Sequence, residues 1–159
     1  MTEIIRADYG HPDHAAAIVT LMQVYAQDRM GGGDALPLEV TSVLIERLAA
    51  TPGAASLLAF ADGQPAGLLN AFAGFSTFAA RPLLNIHDVV VAPAFRGQGL
   101  ARALMAEAET VARERGCVKL TLEVLEGNAT AQRLYRSLGY GDYVLDPEMG
   151  RALFWQKRL

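Results

Sequence analysis

Val89-Val-Val-Ala-Pro-Ala-Phe-Arg-Gly-Gln-Gly-Leu-Ala-Arg-Ala-Leu104 lies midway along the chain, and its reading decides the fold. The β-branched run from Val89 reads as a buried strand. It breaks at Pro93, turns through a glycine-rich loop and enters an amphipathic helix. Such a loop aims backbone N–H groups at one point beside the positive end of a helix dipole, which makes a receptor for phosphate. Gly97 and Gly99 lack the Cβ atoms that would hold a pyrophosphate away from the backbone. Gln98 and Leu100 complete the turn, and small Ala101 permits close approach at the helix start. The dipole favours an anion by roughly 0.3–1 kcal/mol per placement, and Arg96 offers a charge-assisted contact. The loop lacks the Lys-Ser/Thr of a P-loop, and its glycine spacing is not G-x-G-x-x-G. Taken alone, an ordinary glycine turn before a helix uses the same residues.

The composition bounds what this loop can serve. A chain of 159 residues, 52% hydrophobic and 19% charged, reads as one globular domain over residues 1–159. A net charge of −3 and a pI near 5.6 argue against nucleic acid as the main partner. The single cysteine, Cys117, excludes an intramolecular disulfide framework and fits a reducing cytosol. It sits where a helix pattern yields to a strand, so a small buried hydrophobe is expected. No basic-then-apolar N-terminal segment suggests export, and a cytoplasmic location is expected. The longest apolar stretch, Leu68 to Ala80, is interrupted by Asn70, Gly74, Ser76 and Thr77, so no membrane span is expected. Three scattered histidines and one cysteine show no metal-ligand spacing.

Outward from the loop, the pattern predicts a strand over Thr2–Ala7 and a helix over Asp13–Met30, with Ile18, Leu21, Met22 and Tyr25 on one face. Gly31-Gly32-Gly33 ends that helix. A second helix is expected over Leu38–Ala50, with Val40, Val43, Leu44 and Leu48 inward, stopped by Thr51-Pro52-Gly53. Ser56–Ala61, the turn Asp62-Gly63-Gln64 and Ala66–Phe78 form a hairpin signal. Leu83–Val91 is the strand before the loop, and Gly99–Arg115 the helix after it, with Leu100, Leu104, Ala108 and Val111 on one face. Val118–Leu125 reads as a strand, Asn128–Leu138 as a helix closed by Gly139, and Tyr140–Leu145 and Ala152–Gln156 as two last strands. The fold class is α/β, with helices flanking a mixed sheet.

The second informative stretch is Asn128-Ala-Thr-Ala-Gln-Arg-Leu-Tyr-Arg-Ser-Leu-Gly-Tyr140. Asn128 suits an N-cap, and Ala131, Leu134, Tyr135 and Leu138 share one face. This helix follows the strand that follows the loop's helix, so both loops should open on one sheet edge, where α/β ligand crevices lie. Arg96-x-x-Gly99-x-Ala101, followed by Asn128-x-x-Ala131-x-x-Leu134-Tyr135-x-x-x-Gly139-Tyr140, resembles the GNAT superfamily of acyl-CoA-dependent N-acyltransferases. Close matching covers Leu84 to Tyr140.

The resemblance implies a mostly antiparallel sheet with a splayed parallel pair that holds acetyl-CoA (coenzyme A). Val89, Val90 and Val91 would pair through their backbone with the pantetheine arm, and Arg96 through Ala101 would hold the pyrophosphate. Asn128 and Ala131 would border the thiol end, and Tyr135 would point its hydroxyl at the sulfur. Chemistry agrees on Tyr135, since a phenol can protonate a leaving thiolate of similar basicity. A core tyrosine bonded to a backbone carbonyl is the bland alternative.

The acceptor poses a further demand. An alkyl amine of pKa about 10 is protonated at pH 7, and freeing its lone pair costs roughly 4 kcal/mol. His87 and Asp88 stand where the resembling family often places a glutamate. His87 is the better base, because an imidazole titrates near neutral pH. Strand alternation should send the two to opposite faces. Leu84-Asn-Ile-His-Asp88 and Gly150-Arg-Ala-Leu-Phe-Trp155 look like the polyamine (spermidine/spermine-type) acetyltransferase branch, where Asp88 would match a polyamine-contacting carboxylate and His87 replaces a glutamate.

Asp28, Asp34 and Glu148 would form an anionic mouth if they converge, lined by Phe72, Phe75 and Phe78. Solvated acids and core phenylalanines are the alternative. The expected activity is N-acetyl transfer to a small primary amine, polyamine-like or amino-acid-like, by direct attack in a ternary complex. Peptide N-terminal or aminoglycoside acetylation and a non-catalytic CoA sensor remain the alternatives. A homodimer is suggested by family habit alone.

Overall fold

The computed structural model describes residues 1–159 in two compact units, Met1–Leu122 and Glu123–Leu159. The first unit holds one sheet of five strands in sequence order: β1 (Thr2–Arg6), β2 (Ala55–Ala61), β3 (Gln64–Ser76), β4 (Arg81–Val91) and β5 (Leu120–Leu122). The first four pair antiparallel; β4 and β5 run parallel. The β2–β3 turn has both Asp62 (φ 48°) and Gly63 (φ 77°) left-handed, the backbone that matches strand twist in a tight hairpin. The expected mixed α/β sheet is therefore present.

Helices α1 (Pro12–Gln27) and α4 (Leu100–Glu114) pack on this sheet. Ile18 and Leu21 of α1 share one buried cluster with Leu58, Leu68 and Val90. A Cβ added at Gly67 would meet Leu104 of α4 at 3.1 Å. Residues 67 and 68 point to opposite sides of a strand, so α1 and α4 cover opposite faces. The α4 face expected inward, Leu100, Leu104, Ala108 and Val111, is buried throughout.

Several boundaries differ from expectation. Helix α1 stops at Gln27 rather than Met30, because Asp28 turns extended (φ −69°, ψ 146°) and its carboxylate accepts the Met30 N–H at 2.9 Å. The helix expected over Leu38–Ala50 breaks into α2 (Leu38–Thr41) and α3 (Leu44–Ala50). Val40-Thr-Ser-Val43 at the break is rich in poor helix formers. Val40 and Val43 are exposed rather than inward, while Leu48 is buried. Strand β5 keeps three residues of the expected Val118–Leu125. Cys117 is free and half-buried rather than buried.

The second unit contains α5 (Ala129–Ser137). Ala131, Leu134, Tyr135 and Leu138 are half-buried, the face that the spacing predicts. The two C-terminal strands expected over Tyr140–Leu145 and Ala152–Gln156 do not form; one isolated bridge joins Val144 to Arg151. Gly141 and Asp142 disfavour a strand, and both segments are almost wholly exposed, so little burial supports a two-stranded ladder. No helix in the chain is long and apolar enough to cross a membrane.

Candidate cofactor and acceptor site

The loop after β4 has the geometry of an anion cradle. Gly97 (φ 78°) and Gly99 (φ 80°) are left-handed, and a Cβ at either would stand in open space with no atom within 4 Å. Gly99 caps α4 without a side-chain bond. The first bond of that helix runs from the Ala103 N–H to the Gly99 carbonyl (3.0 Å), and the N–H groups of Gly97, Gln98, Gly99, Leu100 and Ala101 have no backbone acceptor. Five successive donors at the start of a 15-residue helix fit a pyrophosphate.

Alongside runs a half-paired strand. β4 and β5 pair only from Leu84↔Leu120 to Ile86↔Leu122, while β4 continues to Val91. Residues His87 to Val91 therefore have a strand partner on the β3 side alone. An extended ligand arm such as pantetheine can add to an edge of this kind. Val89, Val90 and Val91 all lie on it.

A bulge interrupts this strand where chemistry is expected. Asn70 pairs with Asp88 and Ala71 with Ile86, so His87 is the extra residue. The bulge overrides the alternation expected of His87 and Asp88. Asp88 accepts from Asn70, which shares a face with Leu68, and the His87 ring meets Phe72 of that same face edge-on at 5.1 Å. Both side chains thus lie on the α1 face. His87 is exposed there, and Asp88 half-buried.

The Arg96 side chain is already committed: Nη2 donates to Asp28 Oδ2 at 2.8 Å and Nε to the Val91 carbonyl at 3.1 Å. Any anion contact in this loop therefore falls first to the backbone. The Met30 N–H, and then Arg96, hold the Asp28 carboxyl below the usual carboxylate range. Asp28 thus ties the end of α1 to the glycine loop after β4, with its charge already balanced. Burial, and after it the carboxylates of Asp88 and Asp28, push the Tyr25 phenol up, so these acids flank one tyrosine. Asp34 is exposed; Phe75 and Phe78, at 63% and 86% exposure, are not core residues.

In the second unit Asn128 caps α5, its Oδ1 accepting from the Ala131 N–H at 3.1 Å. Gln132 Nε2 donates to the Leu125 and Glu126 carbonyls (3.0 and 2.7 Å), which fixes the helix to the loop before it. The Tyr140 N–H bonds the Tyr135 carbonyl across Gly139, and the two rings lie 6.0 Å apart. Glu148 lies exposed in a turn closed by Asp146 Oδ1 on its N–H.

Three polar residues escaped the reading of the sequence. Asn70 and Ser56 are buried at 3% exposure each, and Tyr9 joins them by a 3.0 Å bond to Ser56 Oγ. The signal was present: a lone amide inside an apolar strand needs a partner, and alternation puts Asn70 on the face of Leu68.

Comparison with known proteins agrees with this geometry. The family model described as "Acetyltransferase (GNAT) family" matches residues 19–140. A streptothricin acetyltransferase of Streptomyces lavendulae is 45% identical over 86 residues, covering 54% of this chain and 43% of that protein, so the chain spans less than half of that relative. A thialysine N-epsilon-acetyltransferase of Caenorhabditis elegans is 30% identical over 130 residues, covering 81% of this chain and 78% of that one. A solved aminoglycoside N-acetyltransferase, AAC(6')-Iy in complex with CoA, has the same fold: TM-score 0.77, 20% identity, covering 100% of this chain and 96% of that one. With the loop, the half-paired strand and the family match together, the chain belongs to the GNAT family of acetyltransferases, whose acetyl donor is acetyl-CoA.

Proposed function

We propose that the protein transfers the acetyl group of acetyl-CoA to the primary amine of a small cationic molecule, polyamine-like or amino-acid-like, by direct attack in a ternary complex. The observation that carries the reading is the row of five unpartnered N–H groups from Gly97 to Ala101, beside the half-paired end of β4. The N–H groups hold the pyrophosphate, and the backbone of Val89 to Val91 takes the pantetheine arm. Asn128 and Ala131 border its thiol end. When bound, acetyl-CoA supplies an activated acetyl thioester.

Asp88 receives the ammonium of the acceptor, and His87 Nε2 or Nδ1 takes its proton. The shared face created by the bulge supports both roles. The Tyr135 hydroxyl supplies the proton for the departing thiolate. Relatives named for thialysine and streptothricin acetylation support an amine acceptor.

The test is acetyl-CoA-dependent release of free thiol against thialysine, spermidine, lysine, streptothricin, an aminoglycoside and a peptide N-terminus. Turnover confined to small cationic amines is expected. Turnover of the peptide alone, or CoA binding with no turnover of any amine, would overturn the reading.

A further inference from the structure

Asn70 interrupts an apolar strand, and every polar atom it carries is used. Its Nδ2 donates to Asp88 Oδ2 at 3.0 Å and lies 3.3 Å from Met22 Sδ; its Oδ1 accepts from Ser56 Oγ at 2.6 Å. A carboxylate only accepts, so the amide cannot be turned round. Its oxygen must then take the Ser56 proton, which leaves the Ser56 oxygen to accept from the Tyr9 phenol. One direction runs through the chain: Tyr9 to Ser56 to Asn70 to Asp88.

The far end, Tyr9 and Ser56, borders a cavity of about 160 Å³. The chain is nevertheless not a route for protons toward it. An amide nitrogen only donates and its oxygen only accepts, so a proton from Asp88 would have to pass through an imidic acid. The remaining role is to hold a carboxylate still: the ladder pairs the Asp88 backbone with Asn70 beside the extra residue His87, and the amide fixes the side chain that the ladder does not reach.

We propose that Asn70 is a positioning residue for the acceptor amine. It anchors Asp88 Oδ2 and leaves Oδ1 to the incoming ammonium, and Ser56 locks the amide in the orientation this requires. The assignment rests on Asp88 meeting the acceptor, and the experiment separates the two claims.

Steady-state kinetics are measured on the full chain with the best acceptor of the panel, for Ser56→Ala, Ser56→Thr, Asn70→Asp and Asp88→Asn. Thermal shift with CoA reports folding. Ser56→Ala removes the lock and is expected to raise the acceptor KM about fivefold, the weight of one hydrogen bond. The kcat and the acetyl-CoA KM stay within about twofold. Ser56→Thr keeps the hydroxyl and restores the parent KM. Asn70→Asp sets a second carboxylate against Asp88, near Tyr25 and His87, and raises the acceptor KM about tenfold or more. Should Ser56→Ala unfold, Tyr9→Phe cuts the same chain one bond earlier and is expected to raise that KM about twofold.

A raised KM in Asp88→Asn with parental values in the Ser56, Asn70 and Tyr9 variants would overturn the positioning role while sparing that of Asp88. A parental KM in Asp88→Asn, or turnover of no amine, would overturn both.

Discussion

Alanine at Gly97 or Gly99 tests whether the loop after β4 holds the cofactor, because it separates the backbone's cost from the ligand's. Gly97 (φ 78°), Gly99 (φ 80°) and Gly63 of the β2–β3 turn (φ 77°) share one left-handed conformation, and a Cβ at any of them meets no atom within 4 Å. Alanine there costs roughly 1–2 kcal/mol at each site. For a chain of this length that is a fall of roughly 2–8 °C in Tm, similar for all three variants. CoA at a hundred times its Kd adds about 2.7 kcal/mol, a rise of roughly 5–11 °C. A methyl group at 97 or 99 stands in the phosphate's space and breaks a charge-assisted bond, a loss of about tenfold or more in affinity. At the same CoA concentration the stabilisation then drops to about 1.4 kcal/mol, half the parent shift. Melting curves with and without CoA should show the full shift in Gly63→Ala and half or less in Gly97→Ala and Gly99→Ala. Full shifts in all three would refute the cradle.

Three further outcomes are expected. Tyr135→Phe should lower kcat about a hundredfold, with CoA affinity by calorimetry unchanged. His87→Gln should lower kcat about a hundredfold at pH 7 with CoA affinity unchanged, which steady-state kinetics and calorimetry will show; parental kcat assigns the base elsewhere. Asp28→Asn should lower Tm at pH 7 by roughly 1–3 °C, as for an exposed pair. The sign follows from the lowered carboxyl of Asp28. The unfolded chain protonates first, so the contribution is full above the ordinary carboxylate range and lost as pH falls through the folded value. The gap between parent and Asp28→Asn should therefore close in acid.

Long periodic segments were legible from the residues alone. The faces of α4 and α5, the hairpin around Asp62-Gly63 and the turn into α4 all follow from spacing and turn chemistry. Features set by pairing between strands were not. The bulge at His87 exists only in the register of β4 against β3, and no local signal in Leu84-Asn-Ile-His-Asp88 announces it. Alternation applied to that strand put His87 and Asp88 on opposite faces, and the extra residue brought them to one. Likewise Arg96 reads locally as a phosphate ligand, whereas its partner Asp28 lies 68 residues away in sequence. The final strands failed for a different reason: Tyr143-Val-Leu145 is an apolar run with strand-forming residues, but almost nothing there becomes buried.

Asn70 joins these threads. In the sequence it broke up an apolar run and argued only against a membrane span. Leucine at 70 together with alanine at 56 would extend the core around Leu68 without orphaning a buried hydroxyl, so stability alone does not call for an amide. What an amide adds is a donor aimed at Asp88, and every buried polar side-chain atom in the chain is satisfied. Departures from local rules concentrate where function overrides packing. A polar residue in β3, an extra residue in β4 and a carboxylate at their junction are three such departures within one pair of strands. The proposed acceptor site would account for all three with one demand: a fixed carboxylate on the face where a cationic acceptor is met.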